Sequence, residues 1–150
     1  MSALAIRPVE RTDAEGWLRL RCQLWPEGAE QEHREEIDAF LDGRASEPVA
    51  VLVAVRPGVL IGFVELSIRP CAEGCRTSRI AYLEGWFVAP EERRKGVGRA
   101  LAKAVEKWGR DAGCRELASD TTPNNVASIS AHAAVGFESV GTVLCFRKVL

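Results

Sequence analysis

One stretch of the sequence, residues 88–101, combines cations and glycines in a pattern that predicts an anion site. A strand is predicted before it and a long helix after it. The first N–H groups of a helix lack partners inside the helix and form the positive end of its dipole, so a phosphate is favoured there. Glycine lets phosphate oxygens approach the backbone closely. The residues that carry this pattern are Arg93, Arg94, Lys95, Gly96, Gly98 and Arg99.

The expected ligand of this segment is a pyrophosphate. Neither the G-x-x-x-x-G-K-[ST] spacing of a Walker loop nor the G-x-G-x-x-G spacing of a dinucleotide fold is present. The alternative is a basic helix start whose glycines serve packing. Three cations directly before the glycines favour the anion site.

Charge is distributed unevenly along the chain. From Glu27 to Glu47 there are eight acidic residues, whereas six basic residues and one acidic residue lie between Arg93 and Lys107. These regions are either two solvated helix faces or a cation site beside an anion site. Over the whole chain 20 basic residues balance 21 acidic ones, so no nucleic-acid partner is expected.

The cysteine and histidine content argues against a metal. Five scattered cysteines are typical of reduced thiols, and Cys71-x3-Cys75 has no His or Cys cluster that would complete a zinc site. No apolar run is long enough to span a membrane, and the N-terminus does not resemble a signal peptide. We therefore expect a cytoplasmic protein without a metal or a membrane partner.

The hydrophobic patterns predict the elements that must position these residues. A chain of 150 residues fits one domain, 1–150, of class α/β (α+β). The predicted order is β-α-α-β-β-β-α-β-α-β-β, a mixed sheet with helices on both faces. The predicted strands are 3–9, 49–55, 59–68, 79–88, 115–119 and one or two within 137–149; the predicted helices are 13–24, 30–41, 96–112 and 124–135.

The segment Arg93-x-x-Gly96-x-Gly98 resembles the [Q/R]-x-x-G-x-[G/A] motif of the GNAT acetyltransferase superfamily, which holds the pyrophosphate of acetyl-CoA. The later residues Asn125, His132 and Gly136-Phe137 resemble its N…Y-x-x-x-G-F segment. The resemblance implies a mostly antiparallel GNAT sheet and acetyl-CoA as cosubstrate. It assigns the cofactor site to Phe87, Val88, Arg93, Arg94, Lys95, Gly96, Val97, Gly98, Arg99, Ala100 and Asn125.

Further segments narrow the resemblance to the aminoglycoside 6'-N-acetyltransferases. They are residues 17–26, 82–91, 117–120 and 124–125. This subfamily implies transfer of an acetyl group to the 6'-amino group of an aminoglycoside, a small polycationic amine. It also implies a homodimer, which the apolar C-terminal strand from Val140 to Phe146 would support.

Two carboxylates are candidates for handling the acceptor amine, because an attacking amine must be neutral and a base must take its proton. Glu84 lies on the strand before the phosphate segment and Asp120 ends the next strand. In the resembled subfamily these positions bind and deprotonate the amine. The alternatives are a solvent-facing strand carboxylate for Glu84 and a turn cap for Asp120.

The departing thiolate and the oxyanion have less defined partners. Where many GNAT enzymes have a Tyr as general acid, this chain has His132, which acts either as that acid or as a helix residue bonded to a backbone carbonyl. The leaving thiolate can also depart without a dedicated acid. The family places the oxyanion donors on backbone N–H groups, here around Phe87 and Val88.

The tryptophans are predicted to have two kinds of position. Trp17 and Trp108 are expected in the core, and Trp25 either lines the acceptor cleft or packs at a helix end.

Two other functions fit the same residues. One is a GNAT enzyme for another amine, such as a protein N-terminus or a polyamine, and the other is a non-catalytic CoA- or drug-binding module.

Overall fold

The computed structural model describes residues 3–150. Within them, the strands are β1 (Ala5–Pro8), β2 (Ala50–Arg56), β3 (Val59–Arg69), β4 (Ile80–Val88) and β5 (Glu116–Ser119). The helices are α1 (Ala14–Leu24), α2 (Glu30–Leu41), α3 (Val97–Asp111) and α4 (Val126–Ala134), with short 3-10 turns at Arg11–Asp13 and Pro90–Glu92. The order confirms the predicted β-α-α-β-β-β-α-β-α series up to α4.

The sheet has the order β1-β2-β3-β4-β5. Its first four strands are antiparallel and β5 runs parallel to β4. The predicted hairpin joins β2 and β3, where Gly58 takes φ +77° in the tight turn. The prediction of a mixed, mostly antiparallel sheet is therefore confirmed.

Helices cover both faces of the sheet, as predicted. On one face α1 and α2 pack on β2 and β3 through Trp17, Leu20 and Ile37, each at most 2% exposed. On the other face α3 buries Val97, Leu101 and Val105, which recur every fourth residue and so share one side of the helix. The predicted core positions of Trp17 and Trp108 are confirmed, with Trp108 partly buried against the α3 core.

A bulge in β4 opens the sheet beside β5. Glu65 lies opposite Gly85 and Leu66 opposite Leu83, so Glu84 is the extra residue on β4. The parallel pairing of β4 with β5 ends at the pair Leu83–Ser119, whereas β4 continues to Val88. A gap therefore separates β4 from β5 beyond the bulge.

The prediction of one or two strands within 137–149 is wrong for this chain by itself. No strand follows α4 among the described residues, and residues 138–150 are exposed throughout. Phe146 is 89% and Leu144 80% exposed. An apolar pattern forms a strand only where a neighbouring strand supplies the other half of the ladder, and here this segment has none.

The predicted element ends differ from the structure by one or two residues, mostly because of capping. Helix α3 begins at Val97 because Gly96 takes a left-handed φ of +85°. Helix α4 begins at Val126 because Asn125 is its N-cap and accepts a hydrogen bond from the Ser128 N–H at 3.1 Å. Within residues 3–150, no helix has both the length and the apolar character that crossing a membrane requires.

Candidate active site

The N-terminus of α3 has the form of the predicted anion site. The first helical bond runs from the Ala100 N–H to the Gly96 carbonyl at 3.0 Å, which leaves the earlier N–H groups of the helix without helical acceptors. Arg94, just before the helix, takes φ +62° and Gly96 takes φ +85°. The loop therefore turns sharply and presents backbone N–H groups at the positive end of α3.

The basic side chains around this loop make protein contacts as well. Arg93 donates to the Val88 carbonyl at 2.9 Å, Lys95 lies 3.8 Å from the Glu92 carboxylate, and Arg99 donates to the Ala134 carbonyl at 2.9 Å. All three remain exposed, as does Arg94. These side chains surround the start of α3 and add positive charge where the backbone already favours an anion.

The Trp86 indole supports the fit of a ligand at this loop. Its Nε1–H is buried and has no acceptor among residues 3–150, although an indole N–H normally finds one. It lies beside Gly98, where an added Cβ would be 3.8 Å from Nε1. A ligand with oxygen acceptors would satisfy this donor only by reaching the enclosed Nε1 atom beside Gly98, and acetyl-CoA carries acceptors of that kind.

The register of β4 indicates which of the two predicted oxyanion donors, the Phe87 or the Val88 N–H, is available. Ala89 donates its N–H to the Ile61 carbonyl at 2.8 Å, and hydrogen-bonded pairs alternate along an antiparallel ladder. The Phe87 N–H is thus directed at β3, and the Val88 N–H is directed at the gap beside β5. Of the two predicted donors, Val88 is the one that the register leaves available.

Glu84 and Asp120 are brought together by two residues that the sequence analysis did not assign to the site. Arg69 donates to both Glu84 oxygens, at 3.0 and 2.7 Å, and its guanidinium lies 3.5 Å from the centre of the Tyr82 ring. The Tyr82 hydroxyl donates to Asp120 Oδ2 at 2.5 Å. The two carboxylates, the phenol and the guanidinium therefore form one continuous group beside the gap.

The surroundings of Tyr82 and Arg69 raise the pKa values of both side chains. Burial raises the pKa of Tyr82 well above its usual range, and its hydrogen bond to the Asp120 carboxylate raises it further. The pKa of Arg69 is also raised, chiefly by the hydrogen bond to Glu84, with a smaller contribution from Asp120. Tyr82 therefore stays a hydrogen-bond donor. Its position two residues before Glu84 on one strand is the sequence signal that could have found it.

His132 has both ring nitrogens engaged. Nδ1 lies 2.7 Å from the Ser128 carbonyl and must donate to it. Nε2 lies 2.8 Å from the Ser119 hydroxyl, which also lies 3.2 Å from the Leu83 carbonyl. The ring also packs edge-on against Trp86. This geometry favours the second alternative, a helix residue bonded to a backbone carbonyl. Asn125, assigned to the cofactor, uses its side-chain oxygen as the α4 cap.

Trp25 stands between two acidic pockets on the α1–α2 face of the sheet. One, of about 340 Å³, is lined by Arg21, Trp25, Glu27, Gly28, Glu32, His33 and Glu36. The other, of about 220 Å³, is lined by Arg21, Trp25, Glu47, Pro48, Glu65, Ser67 and Glu84. The lining of the second pocket therefore includes both Trp25, which was predicted to line the acceptor cleft, and Glu84, one of the two predicted carboxylates.

A buried ionic network holds Trp25 in place. Arg21 bonds to both oxygens of Glu65, at 2.7 and 3.1 Å, and lies 5.0 Å from the centre of the Trp25 ring. Arg21 also donates to His33 Nδ1 at 3.1 Å, so His33 uses Nε2–H to bond the Trp25 carbonyl at 3.0 Å. Among residues 3–150, no cluster of three or more His, Cys, Asp or Glu side chains is arranged to hold a metal.

The profile described as the acetyltransferase (GNAT) family matches residues 14–137. The chain belongs to the GNAT acetyltransferase family. A relative in Klebsiella aerogenes named aminoglycoside N(6')-acetyltransferase type 1 is 56% identical over 150 residues, covering 99% of each chain. This GNAT chain uses acetyl-CoA as its acyl donor, which confirms that prediction.

Solved structures of GNAT relatives agree with the fold. AAC(6')-Iy, an aminoglycoside N-acetyltransferase in complex with CoA, has a TM-score of 0.91 at 40% identity and covers 99% of this chain and 96% of its own. The same enzyme with a bisubstrate analogue, CoA-S-monomethyl-acetylneamine, has a TM-score of 0.90 at 40% identity over 99% and 100%.

Proposed function

We propose that this GNAT enzyme transfers the acetyl group of acetyl-CoA to the 6'-amino group of an aminoglycoside antibiotic, and so confers resistance. The observation that carries the proposal is the joining of Glu84 and Asp120 through Arg69 and Tyr82 beside the gap in the sheet. An acceptor amine that meets these carboxylates lies beside the gap at which the Val88 N–H is directed, where we place the thioester. The names of the similar enzymes point to the same acceptor class.

The residues of the chain divide the work as follows. The α3 N-terminus and the cations around it hold the pyrophosphate, and acetyl-CoA supplies the thioester. Glu84 binds the acceptor ammonium and Asp120 takes its proton, directly or through water. The Val88 N–H stabilises negative charge on the carbonyl oxygen. His132 holds Ser119 and Trp86 at the gap, and the thiolate leaves without a dedicated acid.

The two pockets around Trp25 select a polycation. Their linings contain the carboxylates of Glu27, Glu32, Glu36, Glu47, Glu65 and Glu84. Glu65 is already neutralised by buried Arg21, so the exposed carboxylates supply the attraction. A substrate with several amino groups can meet more than one of them, and its sugar rings can pack on Trp25.

We also propose that the enzyme acts as a homodimer. The C-terminal segment 138–150 exposes a run of apolar side chains in one copy: Val140, Val143, Leu144, Phe146, Val149 and Leu150. A patch of this kind marks an interaction surface. Strand β5 is at the edge of the sheet, so one of its sides can receive another strand. Segment 138–150 of a second copy has the apolar pattern to do so.

The chain acts, in this proposal, as one acetyltransferase domain, residues 1–150, in the cytoplasm. All five cysteines are free thiols, which suits a reducing compartment. Cys71 and Cys75, the only close pair in the sequence, are both unbridged.

A thiol-release assay with acetyl-CoA tests the acceptor. The panel contains kanamycin, which has a 6'-amino group, an aminoglycoside with a 6'-hydroxyl group instead, spermidine, and a peptide with a free N-terminus. The proposal expects release with kanamycin alone, with one acetyl group located on its 6'-nitrogen by NMR. Turnover mainly of spermidine or the peptide would support a GNAT enzyme for another amine. Binding without release would indicate a non-catalytic module.

A further inference from the structure

Arg69 is a cation placed where a cationic substrate is expected. Its guanidinium makes two charge-assisted hydrogen bonds to Glu84, at 2.7 and 3.0 Å. It also covers the Tyr82 ring, whose hydroxyl is bonded to Asp120. Both oxygens of the carboxylate proposed to bind the acceptor ammonium are thus already bonded to an internal cation.

We propose that Arg69 is a resident cation of the acceptor site, which the acceptor ammonium must displace from Glu84 in order to bind. This inference rests on the proposed function, because it takes Glu84 as the group that receives the ammonium. Between turnovers Arg69 keeps the Glu84 carboxylate oriented through its two hydrogen bonds. It does so at the expense of acceptor affinity.

The surroundings of Arg69 suit such an exchange. Its side chain is 39% exposed and that of Glu84 is 24% exposed, unlike the Arg21–Glu65 pair, whose side chains are 6% and 3% exposed. A partly exposed ion pair is exchanged more readily than a buried one, because solvent and an incoming cation can both reach its partners, so the ammonium can replace Arg69. Arg69 is also the last residue of β3 and is followed by a loop, which leaves room for its long side chain to turn away.

A polycation can displace Arg69 from Glu84 because it carries several charges. Its other amino groups can meet the carboxylates in the pocket on the far side of Trp25, which include Glu27, Glu32 and Glu36. Arg69 carries a single charge, so it competes for Glu84 alone and gains nothing from the other carboxylates. The Arg69–Glu84 contact therefore lowers the affinity for an amine with a single charge. For an acceptor with several charges, the carboxylates beyond Trp25 restore the affinity.

The main test is acceptor affinity in an Arg69→Met variant. Methionine keeps an apolar stem over Tyr82 and removes the charge. Calorimetry with kanamycin and with 6-amino-6-deoxyglucose should give tighter binding of both by about two- to fivefold, the factor that matches release of a weak, partly exposed ion pair. Arg69→Lys, which keeps a charge but loses the two-pronged geometry, should lie between Met and the wild type.

Two controls separate the exchange from simpler effects. Arg110→Met removes one positive charge from a 73%-exposed side chain on α3 and should leave the affinity unchanged. In a Glu84→Gln background, Arg69→Met should no longer tighten binding, because the competition for the carboxylate is gone. An equal gain from Arg69→Met in the Glu84→Gln background, or a gain in Arg110→Met as large as that in Arg69→Met, would overturn the exchange.

The same experiment distinguishes its failure from failure of the proposed function. If the wild type releases thiol with kanamycin but Arg69→Met and Arg69→Lys both bind acceptor no better, only the exchange is wrong and Arg69 is a structural partner of Glu84. If the wild type releases no thiol, the acceptor assignment fails and the exchange fails with it. Thermal unfolding of each variant identifies one that loses affinity because it is unfolded.

Discussion

At the scale of single residues, Glu84 and Asp120 have different surroundings that suit different roles. Both Glu84 oxygens accept from Arg69, whereas Asp120 accepts from the neutral Tyr82 hydroxyl. A carboxylate paired with a displaceable cation suits ammonium binding. A carboxylate next to a phenol that stays protonated, at the end of the strand bordering the gap, suits proton transfer.

Asp120→Asn therefore tests the base. It keeps the shape and removes charge and basicity, so kcat should fall by about 10²- to 10⁴-fold, the usual contribution of general base catalysis. Glu84→Gln should chiefly raise the acceptor KM, as expected when binding common to ground and transition states is lost. Steady-state kinetics from pH 6 to 9 measure both. Near-full kcat in Asp120→Asn together with its loss in Glu84→Gln would mean that the roles are reversed.

The sequence predicted the two carboxylates but not the residues that connect them. Glu84 lies within the strand before the predicted phosphate segment, and Asp120 directly follows the next strand, so chain position alone brings them near that segment. Arg69 and Tyr82 join them through side chains that reach across strands, and the extra residue in β4 decides where Glu84 points. A bulge shifts register without a clear mark in the sequence, which is why these contacts needed the structure.

At the scale of elements, we propose that cofactor binding depends on the start of α3. A Cβ added at Gly98 would lie at ordinary contact distances, 3.6 Å from Trp86 and 3.7 Å from Val88, so small substitutions should fold. Gly98→Asp places a carboxylate where the helix favours an anion, and acetyl-CoA affinity should drop at least tenfold, about 1.4 kcal/mol. Calorimetry measures this loss.

Gly98→Ala is the matched control for that prediction. It adds the same Cβ without the charge, so a much smaller loss of acetyl-CoA affinity is expected. If the folded Gly98→Asp protein binds acetyl-CoA as well as the wild type does, the phosphate site is not at this helix. If alanine and aspartate lose equal affinity, space rather than charge controls binding.

The entry into α1 depends on one ion pair. Arg7 on β1 makes two bonds to Asp13, at 2.7 and 3.0 Å, and Asp13 also accepts from the Glu10 N–H. The hydrogen bond to Arg7 lowers the pKa of Asp13. A carboxylate with a lowered folded-state pKa stabilises the protein above its unfolded pKa, about 3.9, and loses this contribution as the pH falls through the folded value.

Asp13→Asn should therefore lower the free energy of unfolding by about 1 kcal/mol at pH 7. The difference from the wild type should shrink as the pH falls below about 4, because the carboxylate then becomes protonated in the unfolded state before it does in the folded state. Urea unfolding at several pH values measures it, with Asp42→Asn at a more exposed pair as the control. A difference that stays constant down to pH 3 would show that charge is not the cause.

Most elements could be predicted because their patterns are local. The four-residue spacing in α3 and the apolar runs of β2 and β3 indicate helix and strand without reference to the rest of the chain. The final segment shows the limit of this reasoning. Its apolar residues resemble those of a strand, but a strand also requires a partner, and the pattern does not say whether that partner lies in the same chain.

At the scale of the whole molecule, the C-terminal segment is the feature that one chain leaves unexplained. It is apolar enough to be buried and yet is exposed, with Leu144 and Phe146 at 80% and 89%. Val140 lies against the body of the protein, since a Cβ at Gly74 would be 2.6 Å from it. Dimerisation through this segment would bury these side chains and let the predicted strand form.

Mass measurements in solution test this dimer. Light scattering on the wild type should give twice the monomer mass of 16.4 kDa. A Leu144→Asp, Phe146→Asp double variant should give the monomer mass, because a buried unpaired carboxylate opposes association. Val126→Asp, at a side chain that is 72% exposed on α4, is the matched control and should remain dimeric. A wild type of monomer mass at micromolar concentration, or a double variant that still dimerises, would contradict the proposed interface.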